Sequence, residues 1–231
     1  MPSPAVFFVF SVSVLLAWAS SVAAQEDPQP EQPRTPPPLS LTIEGDIDGA
    51  MAPIAGQLTT LFYECYPALL KRFENPDKFA ARKIKLVFKK GIKVPGYSHR
   101  DTVTVSVDWF AKHPEDLGLF THELTHLVQA YPNPNPGWLT EGIADYARHH
   151  FGPKEQPGWS LPRKLRPEQS YKNSYGVTAK FLVWLEEKHP GSVDKLHRQM
   201  QSGKFEVEEF ETITGKDVET LWRECVQALG K

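Results

Sequence analysis

Cysteine is scarce in this chain. Only Cys65 and Cys225 occur among 231 residues. Neither has a partner ligand near it in sequence, which argues against a thiolate metal site built on them. An excess of either charge is also missing. The 26 Lys and Arg nearly balance the 28 Asp and Glu, for a net charge of -2. Nothing there offers the basic surface that nucleic-acid binding needs. Internal repeats are absent. Asp, Glu, Lys and Arg are missing altogether from Met1 to Ala24. That stretch has an apolar core from about Ala5 to Trp18 and ends in Val22-Ala23-Ala24, small residues suited to a cut before Gln25. We read 1–24 as a signal peptide, although its start lacks the usual Lys or Arg. An uncleaved anchor is the competing reading, but Ser11, Ser13, Ser20, Ser21 and the small residues at the end favour cleavage. With no Cys near the cut, a lipid-modified N-terminus is not expected. The mature chain is then secreted or periplasmic and free of the membrane.

Gln25 to Ser40 is rich in Pro, Glu and Gln and poor in apolar residues, the composition of an extended, disordered spacer. From Leu41 to Lys231 the chain is long and apolar enough for one globular domain with a sizeable core. LTIEGD reads as a first strand or an extended lead-in. Pro53 to Phe73 carries Ile54, Leu58, Leu61, Phe62, Cys65, Leu69 and Leu70 at helical spacing. Arg82 to Lys89 alternates as a strand, and Gly91 to Arg100 reads as a loop. Thr102 to Val107 is β-branched and alternating, and is expected to form the sheet edge where an extended substrate could lie. His113-Pro114-Glu115-Asp116 suits a helix start. Helices are also expected over Tyr175–Lys188, from Ser192 to Met200, and after a Thr214/Asp217 capping box.

The chemistry concentrates in THELTHLVQ, Thr121 to Gln129. His122, Glu123 and His126 have the order H-E-x-x-H. On a helix, residues four apart share a face, so both imidazoles can point at one metal ion. Zinc accepts imidazole nitrogen, and a hydrolytic site keeps three protein ligands and one open position. Glu123, beside the first ligand, can take a proton from water there. Apolar neighbours, Leu119, Phe120, Leu124, Leu127 and Val128, suit a buried helix. The prolines of Tyr131–Gly137 then turn the chain into a second helix, WLTEGIADYAR. Glu141 and Asp145 lie four apart on it. Glu141 is the candidate third ligand, and Asp145 the acceptor for the outer N–H of a ligand histidine. Cys65 and Cys225 each sit on an apolar helix stripe and are expected to pair as a disulfide in an exported protein; two buried thiols are the plainer alternative.

HELTHLVQ, PGWLTEGIADYAR, SYGVTAKFLVWLEEKHPG and TGKDVETLW occur in that order between about Tyr97 and Val226. Together they resemble the basic secretory protein family of plants and bacteria, exported zincin-like metallopeptidases. The resemblance implies an α+β domain: a small twisted sheet, an active-site helix and a mostly helical C-terminal half. It also implies one Zn2+ held by His122, His126 and Glu141, with Glu123 as base, acting on a peptide or protein substrate; we expect a monomer. Tyr175, by resemblance and by its place at a helix start, is the first candidate for donor to the oxyanion, with Tyr146 and His149 as alternatives. Two departures stand out. The chain is slightly acidic, and Ser174 occupies a position where family members tend to have glycine. Two rival functions are an exported binding protein with a structural zinc, against which the three-ligand set argues, and an amidase acting on a non-peptide cell-wall link.

Overall fold

The structure, a computed structural model, describes Met1 and residues 37–229. The expected signal peptide (apart from Met1) and the linker up to residue 36 lie outside the described residues. The described residues 37–229 form an α+β unit. Strand β1 (Ser40–Gly45) leads through helix α1 (Met51–Phe73) to β2 (Lys83–Lys89), which pairs with it in parallel. A hairpin of β3 (Gly96–His99) and β4 (Thr102–Ser106) completes a sheet of order β1-β2-β4-β3. Strand β4 runs parallel to β2 and antiparallel to β3. The rest is helical: α2 (Val107–Phe110), α3 (Gly118–Gln129), α4 (Gly137–Phe151), a 3-10 turn at Tyr171–Asn173, then α5 (Tyr175–Lys188), α6 (Ser192–Ser202), α7 (Glu209–Thr214) and α8 (Val218–Leu229). No helix among the described residues is long and apolar enough to cross a membrane.

Side-chain periodicity explains most of these elements. In β2 the even-numbered Ile84, Leu86 and Phe88 are buried while Lys83, Lys85 and Lys89 are exposed, the period of two that a sheet covered on one face demands. Helix α1 buries Ile54, Leu58, Phe62 and Leu69 on one stripe. Each such Leu, Ile or Phe contributes about 1.5–3 kcal/mol through removal from water. In the helical half, Phe181 of α5 meets Trp222 of α8 edge-on at 5.7 Å. Helices α4 and α5 pack close enough to require glycine: a Cβ on Gly142 would lie 2.3 Å from Thr178 Cγ2.

Several expectations need correction. Strand β4 is not a sheet edge; it lies between β2 and β3, and β3, within the stretch read as a loop, is an edge strand. His113–Asp116 does not open α3, which begins at Gly118. Asp116 instead pairs with Arg148 and accepts from Trp109 Nε1. Asp217, not Thr214, caps α8, accepting from the Thr220 N–H at 2.9 Å. The Cys65–Cys225 disulfide does not form: both are free, buried thiols. Cys65 lies on α1 against Thr121 of α3, whereas Cys225 lies on α8, which packs on α5.

His197 of α6 ties three segments together. Its Nε2–H donates to the Phe73 carbonyl at the end of α1, 2.6 Å away. Its Nδ1 accepts from the Tyr131 hydroxyl at 2.8 Å, after α3. The ring is fully buried. Burial, aided by Arg198 and Arg72 and opposed by the bond to Phe73, drives its pKa from 6.5 down to about 4. The unfolded chain therefore takes up this proton first. Stability from the neutral ring is complete above pH ~6.5 and is lost as pH falls toward ~4, by about 3 kcal/mol in all. Urea unfolding at about pH 7.5 and pH 4.5 checks this: His197→Gln, which cannot titrate there, should show a correspondingly smaller drop between the two.

Candidate active site

Helices α3 and α4 build the site. Helix α3 ends at Ala130, whose φ of 42° turns the chain left-handed. The Pro-rich segment 131–136 returns it into α4. There the Thr140 carbonyl accepts from Gln129 Nε2 at 2.9 Å and Thr140 Oγ1 donates to the Pro134 carbonyl at 2.7 Å. One turn of α3 thereby faces the first turns of α4. The expected ligand residues come together: one donor atom each from His122, His126 and Glu141 lie within 4.8 Å of one another. His122 Nε2 is 3.1 Å from Glu141 Oε2 and 3.1 Å from His126 Nε2, and the latter is 3.5 Å from Glu141 Oε2.

The outer ring nitrogens settle which atoms carry protons. Asp145 Oδ1 lies 2.7 Å from His122 Nδ1, and a carboxylate only accepts, so Nδ1 carries the hydrogen. Gln129 Oε1 lies 2.7 Å from His126 Nδ1. The amide nitrogen of Gln129 is already engaged with Thr140, so its oxygen faces the ring and His126 Nδ1 is also the donor. Both Nε2 atoms of the neutral imidazoles then aim lone pairs at each other and at Glu141. Three electron-pair donors cannot share that space without a cation or a proton among them. The electrostatics agree. Burial opposes charge on His122, yet its bonds to Asp145 and Glu141, with the field of Asp145 and Glu123, lift its pKa from 6.5 to about 10. Burial likewise opposes charge on Glu141, but the two histidines pull it from 4.5 to about 2. Two nitrogens and a carboxylate oxygen are the donor set zinc prefers, and differ from the all-oxygen sets of calcium or magnesium.

Glu123 is buried on the same turn. Its Oε2 accepts from Ser98 Oγ of β3 at 2.7 Å. Tyr175 stands at the cleft mouth, 56% exposed, with its ring 6.1 Å from that of His122 and nearly parallel to it. The field of Glu141 foremost, then burial, raises its phenol pKa, so the hydroxyl remains a donor at neutral pH. The cleft measures about 750 Å³ and is lined by His122, Glu123, His126, Gln129, Glu141, Asp145 and Tyr175, and by Val94 to Ser98 at the start of β3. The other candidate donors are elsewhere. Tyr146 is buried under Arg72, 5.2 Å above its ring. His149 lines a separate hollow beside Lys180.

Two site residues escaped the sequence reading. Gln129, three residues past His126 on the same helix, had the correct spacing for contact but no motif to flag it. Ser98 sits in a stretch read as loop. Relevant too is Arg148, one turn beyond Asp145, which is buried, bonds Asp116 and Gln156, and holds Trp159 at the cleft wall by a cation–π contact of 4.0 Å.

An α+β domain with an open sheet edge beside a His-His-Glu cluster and a buried glutamate is a class of site made for hydrolysis. The family model of BSP, peptidases of plants and bacteria, matches residues 90–225, more than half the chain. The chain belongs to that family, the basic secretory protein family that its motifs resemble. Comparison with curated proteins gives no match.

Ser174 explains what a glycine would do in its position. Its φ of 67° and ψ of -179° fall in a region that is almost exclusively glycine's, and Tyr175 follows at φ 44°. Such strain costs about 1–3 kcal/mol per residue. Its side chain makes no cap to α5. Ser174→Gly is therefore expected to stabilise the fold by roughly 1 kcal/mol after the added chain entropy of glycine; the readout is a higher urea midpoint at unchanged m value.

Proposed function

We infer that the chain is an exported, zincin-like, zinc-dependent peptidase. The observation that carries this is the convergence of three donors with both histidine tautomers fixed by outer acceptors, next to the buried Glu123. His122, His126 and Glu141 would hold the zinc. When bound, the ion supplies Lewis acidity, lowering the pKa of water and polarising the scissile carbonyl. The remaining steps belong to the chain's own residues. Glu123 takes the proton of the attacking water and passes it to the leaving nitrogen. Tyr175 directs its hydroxyl at the oxygen where charge develops. Asp145 and Gln129 keep both ligand rings in register. An extended peptide lies along the open edge of β3 by strand addition, and Tyr97 and Val94, both exposed apolar side chains of the cleft, offer it surface. The uncharged N-terminal segment supports export to a secreted or periplasmic location.

Two measurements bear on this reading. The purified chain, supplied with zinc, is compared with Glu123→Gln on an unstructured protein substrate, with cleavage sites read by mass spectrometry. Both should bind one zinc, and only the parent should cut, with a loss of at least about 10²-fold in the variant. If both bind zinc and neither cuts, the peptidase reading gives way to a binding role. Separately, Gln129→Leu leaves the His126 ring without its outer acceptor. Zinc affinity, read by chelator competition, should fall about 10–100-fold; unchanged affinity would remove Gln129 from the ligand-orienting set.

A further inference from the structure

We propose that Ser98 is a positioning residue that links the substrate-binding strand to the general base. The inference rests on the peptidase reading and assigns β3 a second task within it. Strand β3 presents alternate residues to opposite sides: Tyr97 and His99 are exposed, while Gly96 and Ser98 face α3. Its ladder with β4 pairs Gly96 with Val105, Tyr97 with Thr104, Ser98 with Val103 and His99 with Thr102. The Ser106 N–H donates to the Pro95 carbonyl at 2.8 Å, which extends the same register by one pair. In an antiparallel ladder, hydrogen-bonded pairs alternate with non-bonded ones. With the bonds at Pro95, Tyr97 and His99, the main-chain N–H and C=O of Gly96 and Ser98 turn to the open edge, where a peptide strand would pair.

The Ser98 side chain points the other way, into the helix. Its Oγ lies 2.7 Å from both the carbonyl oxygen and Oε2 of Glu123. One hydroxyl proton serves two acceptors, and the ionised carboxylate is the stronger. Gly96 completes the fit: a Cβ there would stand 3.4 Å from Glu123 Cγ and Oε1 and 3.2 Å from the Thr104 carbonyl. The base thus rests on the inner face of the strand whose outer edge receives the substrate. Ser98 reaches both, through main chain and side chain. Docking of a peptide on β3 fixes the distance between the scissile bond and the Glu123 carboxylate, because both are referred to one residue.

The test compares the parent full chain with Ser98→Ala and Ser98→Thr, measuring zinc content, kcat and KM on one peptide identified as a substrate of the parent. Ser98→Ala should lower kcat about 10–100-fold, as expected for loss of a hydrogen bond to a charged group, with zinc content and KM held near the parent's. Ser98→Thr keeps the hydroxyl on a residue that suits a strand, and should recover most of kcat. An unchanged kcat in Ser98→Ala overturns the proposal. So does an equal loss in both variants, or a loss confined to KM. Should Ser98→Ala fail to fold, Ser98→Thr against Ser98→Cys, a weaker donor, gives the same ordering or refutes it. A parent that cleaves nothing would count against the peptidase reading instead, so the two failures are distinguishable.

Discussion

Two outer hydrogen bonds decide the character of this site. Asp145 holds the Nδ1–H of His122, and Gln129 holds that of His126. Without those acceptors each imidazole would be free to change tautomer or turn its ring, and the inner nitrogens would have no reason to meet. With them, two lone pairs and the Glu141 carboxylate converge on one point. The rest of the fold can be traced outward from that requirement. Asp145 and Glu141 must sit on one face of α4, which their spacing of four ensures. Helix α4 must lie across α3, which Gln129 secures by bonding the Thr140 carbonyl with the same amide that orients His126. One side chain therefore fixes both a ring and a helix position.

The helices around this pair serve the same end. Gly142 lets α5 approach α4 to within contact of Thr178, and this brings the start of α5, with Tyr175, to the cleft. Arg148 uses one buried cation three ways, against Asp116 ahead of α3, Gln156 in the following loop, and the Trp159 ring. A buried charge tolerates such a place only when it is paired and hydrogen-bonded. Arg148 meets that condition, and it closes one wall of the cleft while doing so. The sheet supplies the opposite wall through its edge strand.

How much of this is legible in the sequence depends on the range of each signal. Helix α5 and the main span of α1 are readable because each carries its own apolar period over many residues. The same holds for β2 and β4, whose alternation is clean. H-E-x-x-H and Glu141-x-x-x-Asp145 are readable because a helix converts spacing of four into proximity. Strand β3 is not, since four residues, Gly-Tyr-Ser-His, show no apolar alternation, and their strand state comes from pairing with β4. The Cys65–Cys225 pairing fails for a related reason. Each cysteine does lie on a buried stripe, but a stripe says that a residue is inside and not which helix it faces. Gln129 requires knowing that α4 returns to present the Thr140 carbonyl. The conformation of Ser174 is signalled only through family resemblance, as a serine in a glycine's place.

The electrostatics of the site link its function to its stability. Glu123, Glu141 and Asp145 stand together with His122, and the carboxylates shift that ring strongly toward its charged form. Three acids in a largely buried pocket repel one another, and their desolvation is costly unless positive charge lies among them. A proton on His122 relieves part of this. A divalent cation, once held by His122, His126 and Glu141, would relieve more, since it would add two charges at the point where the lone pairs converge. Binding to the folded site and not to the unfolded chain must then add to folding stability by mass action. On the proposed peptidase reading, the same reasoning bears on Ser98. Glu123 is not among the three residues whose donor atoms converge, and its carboxylate accepts from the neutral hydroxyl of Ser98 on β3. A charged donor there would hold the carboxylate too firmly for proton transfer, while no donor would leave it free to turn among its acidic neighbours. A serine hydroxyl is intermediate between the two, and on the proposed reading it stands on the strand that a bound peptide would extend.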